Sequence, residues 1–324
     1  MLKSMSYYKK YILAGKRIPL LFYISNWFAN LLPRTYWIHK RGKLLKGWEQ
    51  RADADYIRDR VNLYCRLDRL YSVDDRSVSV KDVNRHNFQS RYAFDAQSVL
   101  RYFPGSAKVG FIDGDIRVNP EFPSIIKCRR LNGEGEENAV VLNLDSIRHW
   151  LNPHDNIPFE KKIPKLFFRG DIYDKPDRIR FFEQWSDNEL FDLGDTNNRF
   201  PSKWHSRFVT IPEHFSYQFI LALEGYDMAS SLQWIMASGC VPVMPRPTVE
   251  GWLMHSRLIP GVHYIEIKSD FSDVGDKIRY YASHQEEAKK IAEESKKFIE
   301  QFKDKRREKI ISILTVEKYL KHRK

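Results

Sequence analysis

Beyond residue 165 the chain alternates short apolar runs with segments of helical spacing, and this alternation constrains the fold more than any other feature. Leu166 to Arg169 reads as a strand, Asp177 to Trp185 as a helix, Phe219 to Leu223 as a strand and Ser230 to Ala237 as a helix; Cys240 to Met244 and Tyr264 to Ile267 read as two further strands. Strands that alternate with helices imply a parallel sheet covered on both faces, an α/β fold. Glu286 to Phe302 closes the series as an amphipathic helix, with Ala288, Ile291, Ala292, Ser295, Phe298, Ile299 and Phe302 on one stripe.

Upstream, Asp55 to Leu70 and Phe94 to Phe103 carry apolar residues at helical spacing, Lys108 to Ile112 reads as a buried strand ending in the turn Asp113-Gly114-Asp115, and Val140 to Leu144 reads as another strand. The polar stretch from Asn152 to Lys165 holds three prolines and is the best candidate boundary. We therefore expect an acceptor-side domain over 1–155, a second domain over 156–300, and a basic helix over 301–324 for which a return to the first domain is one course.

The net charge of +12 attracts anions, whether nucleic acid, acidic lipid or phosphorylated small molecules. Much of the excess lies in Arg34 to Lys46 and Lys296 to Lys324, where a solvated helical face accounts for it equally well. Cys65, Cys128 and Cys240 are odd in number and widely spaced, which indicates neither a disulfide framework nor a metal site and favours a reducing compartment. Lys3, Lys9, Lys10, Lys16 and Arg17 precede an apolar run, but no small-x-small cleavage site follows. The run Leu20 to Leu32, between Pro19 and Pro33, is too short to span a bilayer. It reads as a buried helix of the first domain, with a helix lying in a membrane interface as the alternative, because Phe22, Tyr23, Trp27 and Phe28 have basic neighbours on both sides.

In open parallel sheets, anions bind outside the carboxyl ends of the strands. Two loops fit. In Phe167-Phe168-Arg169-Gly170-Asp171 a strand runs into a glycine turn, with Arg178 at the start of the next helix; guanidinium groups fork onto phosphate oxygens and glycine admits a close backbone approach. In the segment from Glu224 to Ser231, Ser230 and Ser231 either cap a helix or bind a diphosphate. Each loop alone is as well explained by ordinary capping and turns. His149 and His154 lack partners at metal-ligand spacing, no G-x-S-x-G elbow is present, and Trp252 is the one tryptophan read as a sugar-stacking candidate.

The run YQFILALEGYDMASSLQWIMASGCVPVMP, followed by VEGWLMHSRLIPGVHYIEIKSDFSDVGDKIRYY, resembles the lipopolysaccharide core glycosyltransferases of family ninety, which includes fungal capsule xylosyltransferases and animal protein O-glucosyltransferases. Upstream, RVNLYCRLD, RYAFDAQSVLRYFP, GDIRVNPEFPSIIKCRRL and AVVLNLDSIRHW look like the bacterial branch, so the resemblance covers roughly residues 55 to 300. It implies a GT-B fold, two Rossmann-like domains facing a cleft, and inverting transfer of a hexose, glucose or galactose, from a UDP-sugar without metal or other cofactor. On that reading Arg169, Gly170 and Arg178, with Gly225, Asp227, Ser230 and Ser231, hold the donor, and Glu250 sits near its sugar or ribose. Asp115 matches the position of the base, and Lys127 and Arg129 bind anionic parts of the acceptor.

The implied partners are a nucleotide sugar, a lipid-linked oligosaccharide and the anionic inner face of the cytoplasmic membrane, with no nucleic acid. Two departures matter. Animal members carry an arginine about where Ser231 stands, and bacterial members commonly read Phe-Gly-Asp where this chain has Asp113-Gly114-Asp115. A strand ending in DxD is also how GT-A transferases chelate a divalent ion, which is one alternative; a basic nucleic-acid-binding protein on a degenerate transferase fold is the other.

Overall fold

The structure is a computed structural model that describes residues 19–323 apart from positions 145, 147, 152, 153, 198 and 201, so the basic positions from Lys3 to Arg17 lie outside it. The described chain divides into two compact units. One joins Pro19–Ile147, Thr248–Ser256 and Phe302–Lys324; the other joins Arg148–Pro247 and Arg257–Gln301. The segment Phe302–Lys324 takes the returning course named for the basic helix, and Thr248–Ser256, which was expected in the second domain, also folds with the first unit through pairings between residues remote in sequence.

The first unit opens with helices α1 (Pro19–Leu31), α2 (Arg34–Leu45) and α3 (Ala54–Tyr64), then strand β1 (Val78–Ser79) and helix α4 (Ser90–Leu100). Strands β2 (Lys108–Phe111), β3 (Ser124–Ile126), β4 (Cys128–Arg130) and β5 (Ala139–Val141) follow. A four-stranded sheet runs β1-β2-β3-β5, antiparallel at its β1 edge and parallel elsewhere. The returning strand β10 (Val249–Gly251) pairs antiparallel with β4, setting Glu250 opposite Arg129.

The returning helix α10 (Lys305–Lys321) starts where the Asp304 carboxylate accepts the N–H groups of Arg306 and Arg307, an N-cap. Its Ile310, Ile311, Ile313 and Val316 are buried, and Tyr319 accepts from Gly110 N at 2.8 Å while donating to Pro123 O at 2.9 Å. Arg60 of α3, wholly buried, forms a two-pronged ion pair with Glu308 of α10. The basic tail is thus part of the first unit's core on one face and solvated on the other.

The second unit is a mixed α/β layer around one parallel sheet. Its elements are β6 (Ile163–Gly170), α5 (Pro176–Trp185), β7 (Phe191–Asp195), α6 (Ile211–His214), β8 (Tyr217–Leu221), α7 (Leu232–Ala237), β9 (Val241–Met244), β11 (Ile265–Glu266), α8 (Val274–Ser283) and α9 (Gln285–Glu300). The strand order is β11-β9-β8-β6-β7 and every pairing is parallel. Leu166, Phe168, Phe219, Leu221, Val241 and Val243 lie in its core with Ala288, Ile291 and Ala292 of the amphipathic helix.

The chain leaves β6 to form β7 on one side and returns to form β8 on the other, so the winding reverses between β6 and β8. In open α/β sheets that switch point is where ligands bind, outside the carboxyl ends of the strands. Cys65, Cys128 and Cys240 are all free and buried.

Candidate functional site

At the switch point the carboxyl ends of β6 and β8 are bridged by one side chain. Arg178, in the first turns of α5, donates from Nη1 to Asp171 O at 2.9 Å and from Nη2 to Leu223 O at 2.8 Å. It lies over the Phe168 ring, and burial lowers its pKa to about 10. Among the described residues no carboxylate lies within ion-pair distance of it; its direct hydrogen bonds go to the two carbonyls, the Asp171 carboxylate acts on its charge from further off, and its buried Nε has no acceptor. A desolvated guanidinium with no carboxylate in direct contact favours an incoming anion.

Lys175 stands beside it, with Nζ 2.9 Å from Asp171 Oδ2 and 5.4 Å from the centroid of the Tyr226 ring. A Cβ placed on Gly225 would lie 3.6 Å from Arg178 Nη2 and 3.7 Å from the Lys175 chain, so the two cations wall the space over this glycine. Gly225 N donates to Asp227 O at 3.0 Å, a tight turn that keeps the buried Asp227 beneath it. Lys175 is a residue the sequence reading missed; the signal was present in its place before Pro176, at the start of α5.

Ser231 takes the N-cap position of α7 but makes no capping bond, and Ser230 is exposed. Both hydroxyls stay uncommitted, in the same loop as Gly225. The helix behind them has only six residues, so its dipole adds little.

Arg169 does not share this setting. Its Nη2 lies 2.5 Å from Asp192 Oδ1, its Nη1 donates to Asp192 O at 2.8 Å, and its guanidinium stacks on Phe167 at 4.5 Å. The register explains why. Phe167 pairs with Asp192 and Arg169 with Gly194, so Arg169 and Asp192 project from one face of neighbouring strands, and Gly194 leaves room for the arginine stem. The Tyr217 hydroxyl occupies the other Asp192 oxygen. The expectation that Arg169 forks onto phosphate is corrected by this internal pairing. Gly170 ends β6, and its carbonyl accepts from Thr196 N at 3.1 Å.

The first unit holds the other candidate group. β2 runs into Asp113-Gly114-Asp115, where Gly114 takes a φ of 91°, a conformation open to glycine. The two carboxylates part company there. Asp113 Oδ2 accepts from Gln89 N at 2.6 Å and so holds the start of α4. Asp115 Oδ1 accepts from Lys127 Nζ at 2.8 Å and faces the Tyr92 hydroxyl at 3.5 Å. The Lys127 side chain is 1% exposed and that of Asp115 36%, so the lysine anchors a carboxylate that reaches outward.

Three further expectations are corrected by burial. Lys127 has its ammonium on Asp115 and is closed to an acceptor. Arg129 is wholly buried, donates to Ala139 O at 3.3 Å and to Leu63 O, and has its pKa lowered to about 10 by desolvation. Glu250 is also wholly buried in β10, accepts from the Ser256 amide and hydroxyl, and has its pKa raised by burial; it belongs to the first unit and not to the donor half.

Trp252 likewise serves the core. Its ring stacks on Tyr64 at 4.2 Å and its Nε1 donates to Glu308 Oε2 at 2.7 Å. Among the described residues no group of three or more His, Cys, Asp or Glu side chains is placed to hold a metal ion.

Comparison with known proteins bears on what this geometry does. Over 302 residues, 92% of this chain and 94% of the relative, the chain is 33% identical to O-glucosyltransferase LpsA of Dichelobacter nodosus. Over 146 residues, 43% of this chain and 29% of the relative, it is 32% identical to Protein O-glucosyltransferase 2 of Danio rerio. Residues 139–310 match the family described as Glycosyl transferase family 90, a span that takes in the β6–β8 switch point with Arg178 and Gly225. With that match and the near full-length relative, the chain belongs to glycosyl transferase family 90 and is a glycosyltransferase.

Proposed function

We propose that this glycosyltransferase moves a hexose, glucose or galactose, from a UDP-sugar to a lipopolysaccharide core or related surface glycan at an anionic membrane surface. The observation that carries the donor side is Arg178: a buried guanidinium at the switch point of a parallel sheet, hydrogen-bonded to backbone carbonyls with no carboxylate in direct contact, with Lys175 and an open glycine turn beside it. A diphosphate supplies the missing negative charge, and the Ser230 and Ser231 hydroxyls extend the donor set. The LpsA relative, an O-glucosyltransferase by name, favours glucose.

Transfer inverts the anomeric centre in one step. The acceptor hydroxyl oxygen bonds to the anomeric carbon as the bond to the diphosphate oxygen breaks, UDP leaves, and the hydroxyl proton passes to Asp115. Lys127 and Tyr92 hold that carboxylate in place. The two units act as the GT-B pair that the family implies, without a metal ion.

A GT-A-type reading through Asp113 and Asp115 is weaker, since Asp113 is engaged at the start of α4. Thermal-shift titration with UDP-glucose, UDP-galactose and GDP-mannose tests the proposal: a UDP-hexose raises the unfolding temperature and GDP-mannose does not. Absence of a response to any UDP-sugar would overturn it, and loss of transfer on chelation would move the mechanism to the metal-dependent reading.

A further inference from the structure

Helix α1 is mounted inside out. Its polar and small groups face the protein: Asn26 Oδ1 accepts from Arg101 at 3.0 Å, Asn30 donates to Gln97 at 2.8 Å, and Ala29 O accepts from the Trp37 indole at 3.1 Å. Phe22, 8% exposed, packs edge-on against Phe94 of α4. The opposite stripe, Leu21, Ile24, Trp27, Phe28 and Leu31, stands 40% to 61% exposed, and Leu32 and Tyr36 prolong it. These positions recur every three or four residues along one helical face, which is how an amphipathic helix is built, except that water is on the apolar side.

The chain around this stripe is basic. No Asp or Glu occurs in the chain before Glu49. Tyr36, Lys40 and Lys43 share a face of α2, with Lys40 Nζ 5.0 Å from the Trp37 ring, and Lys46 follows. Lys43, Lys46 and Arg85 are exposed, and their side chains have no hydrogen-bond or ion-pair partner among the described residues. Arg85 stands at the rim of a groove of about 520 Å³ formed by Tyr23, Ile24 and Trp27 of α1 with Ser90 and Phe94 of α4.

We infer that the exposed face of α1, with this basic rim, is the surface by which the enzyme seats itself on an anionic bilayer. The apolar stripe enters the acyl boundary, the aromatic rings lie at headgroup depth, and Lys40, Lys43, Lys46 and Arg85 meet lipid phosphates. The helix lies in the interface and does not cross it: α1 has 13 residues, and no described helix is long and apolar enough to span a membrane.

The inference adds to the proposed function the surface that meets the membrane, and it is tested without turnover, so the two fail separately. Full-length protein is sedimented with vesicles of phosphatidylglycerol and phosphatidylethanolamine, and with vesicles of phosphatidylcholine alone. Binding is expected to the first and to be at least about tenfold weaker to the second. The variant Trp27→Ser/Phe28→Ser/Leu31→Ser alters only exposed side chains and is expected to unfold at the wild-type temperature while losing vesicle binding. Lys40→Glu/Lys43→Glu is expected to weaken binding by about tenfold or more at low salt. Quenching of Trp27 by lipids brominated on the acyl chain, absent in Trp27→Phe, places the helix in the acyl boundary. Wild-type binding by the triple variant, or no vesicle binding by the wild type, would overturn the inference. So would a dimer that the triple variant abolishes, which would assign the face to a second copy.

Discussion

Arg169 places its Nη2 2.5 Å from Asp192 Oδ1, whereas Arg178, nine positions on, gives its hydrogen bonds to backbone carbonyls. Two arginines flanking one glycine turn therefore divide the work on the proposed reading, the first fastening β6 to β7 and the second left to meet the donor diphosphate.

The division predicts opposite phenotypes. Arg178→Lys keeps a charge but loses the fork, and is expected to weaken UDP binding by about tenfold to a hundredfold. Arg169→Gln is expected to leave UDP binding within about twofold but to cost about 2 kcal/mol of stability, because it strands the partly buried Asp192. Calorimetric titration with UDP and urea unfolding of both variants read the two effects. The reverse assignment would show that Arg169 opens toward the donor.

Glu308 accepts from both Arg60 and the Trp252 indole, and so ties the returning helix to α3 and to the returning strand segment. Glu308→Ala leaves the wholly buried Arg60 without its carboxylate, and a loss of about 3–5 kcal/mol is expected in urea unfolding. Glu308→Gln keeps acceptor and volume and should lose less. A cost below about 1 kcal/mol for the alanine variant would mean that α10 is held by its apolar face alone.

Two buried histidines set an acid limit. Desolvation lowers both His214 and His255 to about 4. As pH falls through 6.5, the unfolded chain takes up these protons while the native state does not until about pH 4, so stability declines over that window and is fully retained above it. The loss approaches about 3 kcal/mol for each group at the bottom of the window. His255→Asn retains an acceptor for the Gly251 amide, which His255 Nδ1 meets at 3.1 Å, and should flatten the dependence of unfolding temperature on pH between 7 and 5. An unchanged slope would contradict the assignment.

What the sequence made legible was local. Strands β6, β8, β9 and β11 with helices α5, α7 and α9 were visible because crossover units repeat a simple pattern, whereas β7, α6 and α8 were not read; Gly225 and Asp115 lie in strand-end loops and Arg178 in the first turn of the helix after β6. The sheet order, and with it the switch point, depends on which strands pair and is absent from the pattern.

The misplacements share a physical cause. Glu250, Arg129 and Trp252 carry the residue types of a binding site, but the pairing of β10 with β4 buries the first two and the Tyr64 and Glu308 contacts enclose the third. Arg169 was misplaced because Asp192 is adjacent only across the sheet. The reading of α1 as buried failed on sense of mounting: its period is helical either way, and only the contacts of Asn26 and Asn30 reveal which face meets the protein.

The central claim is that Asp115, anchored by Lys127, accepts the acceptor's proton, and it is tested most directly by measuring UDP-sugar binding and sugar transfer side by side in Asp115→Asn. The account predicts donor affinity within about twofold of wild type and a fall in transfer of at least about a thousandfold, while Asp113→Asn loses stability before activity. Transfer retained by Asp115→Asn, or an equal loss confined to a stably folded Asp113→Asn, would contradict it.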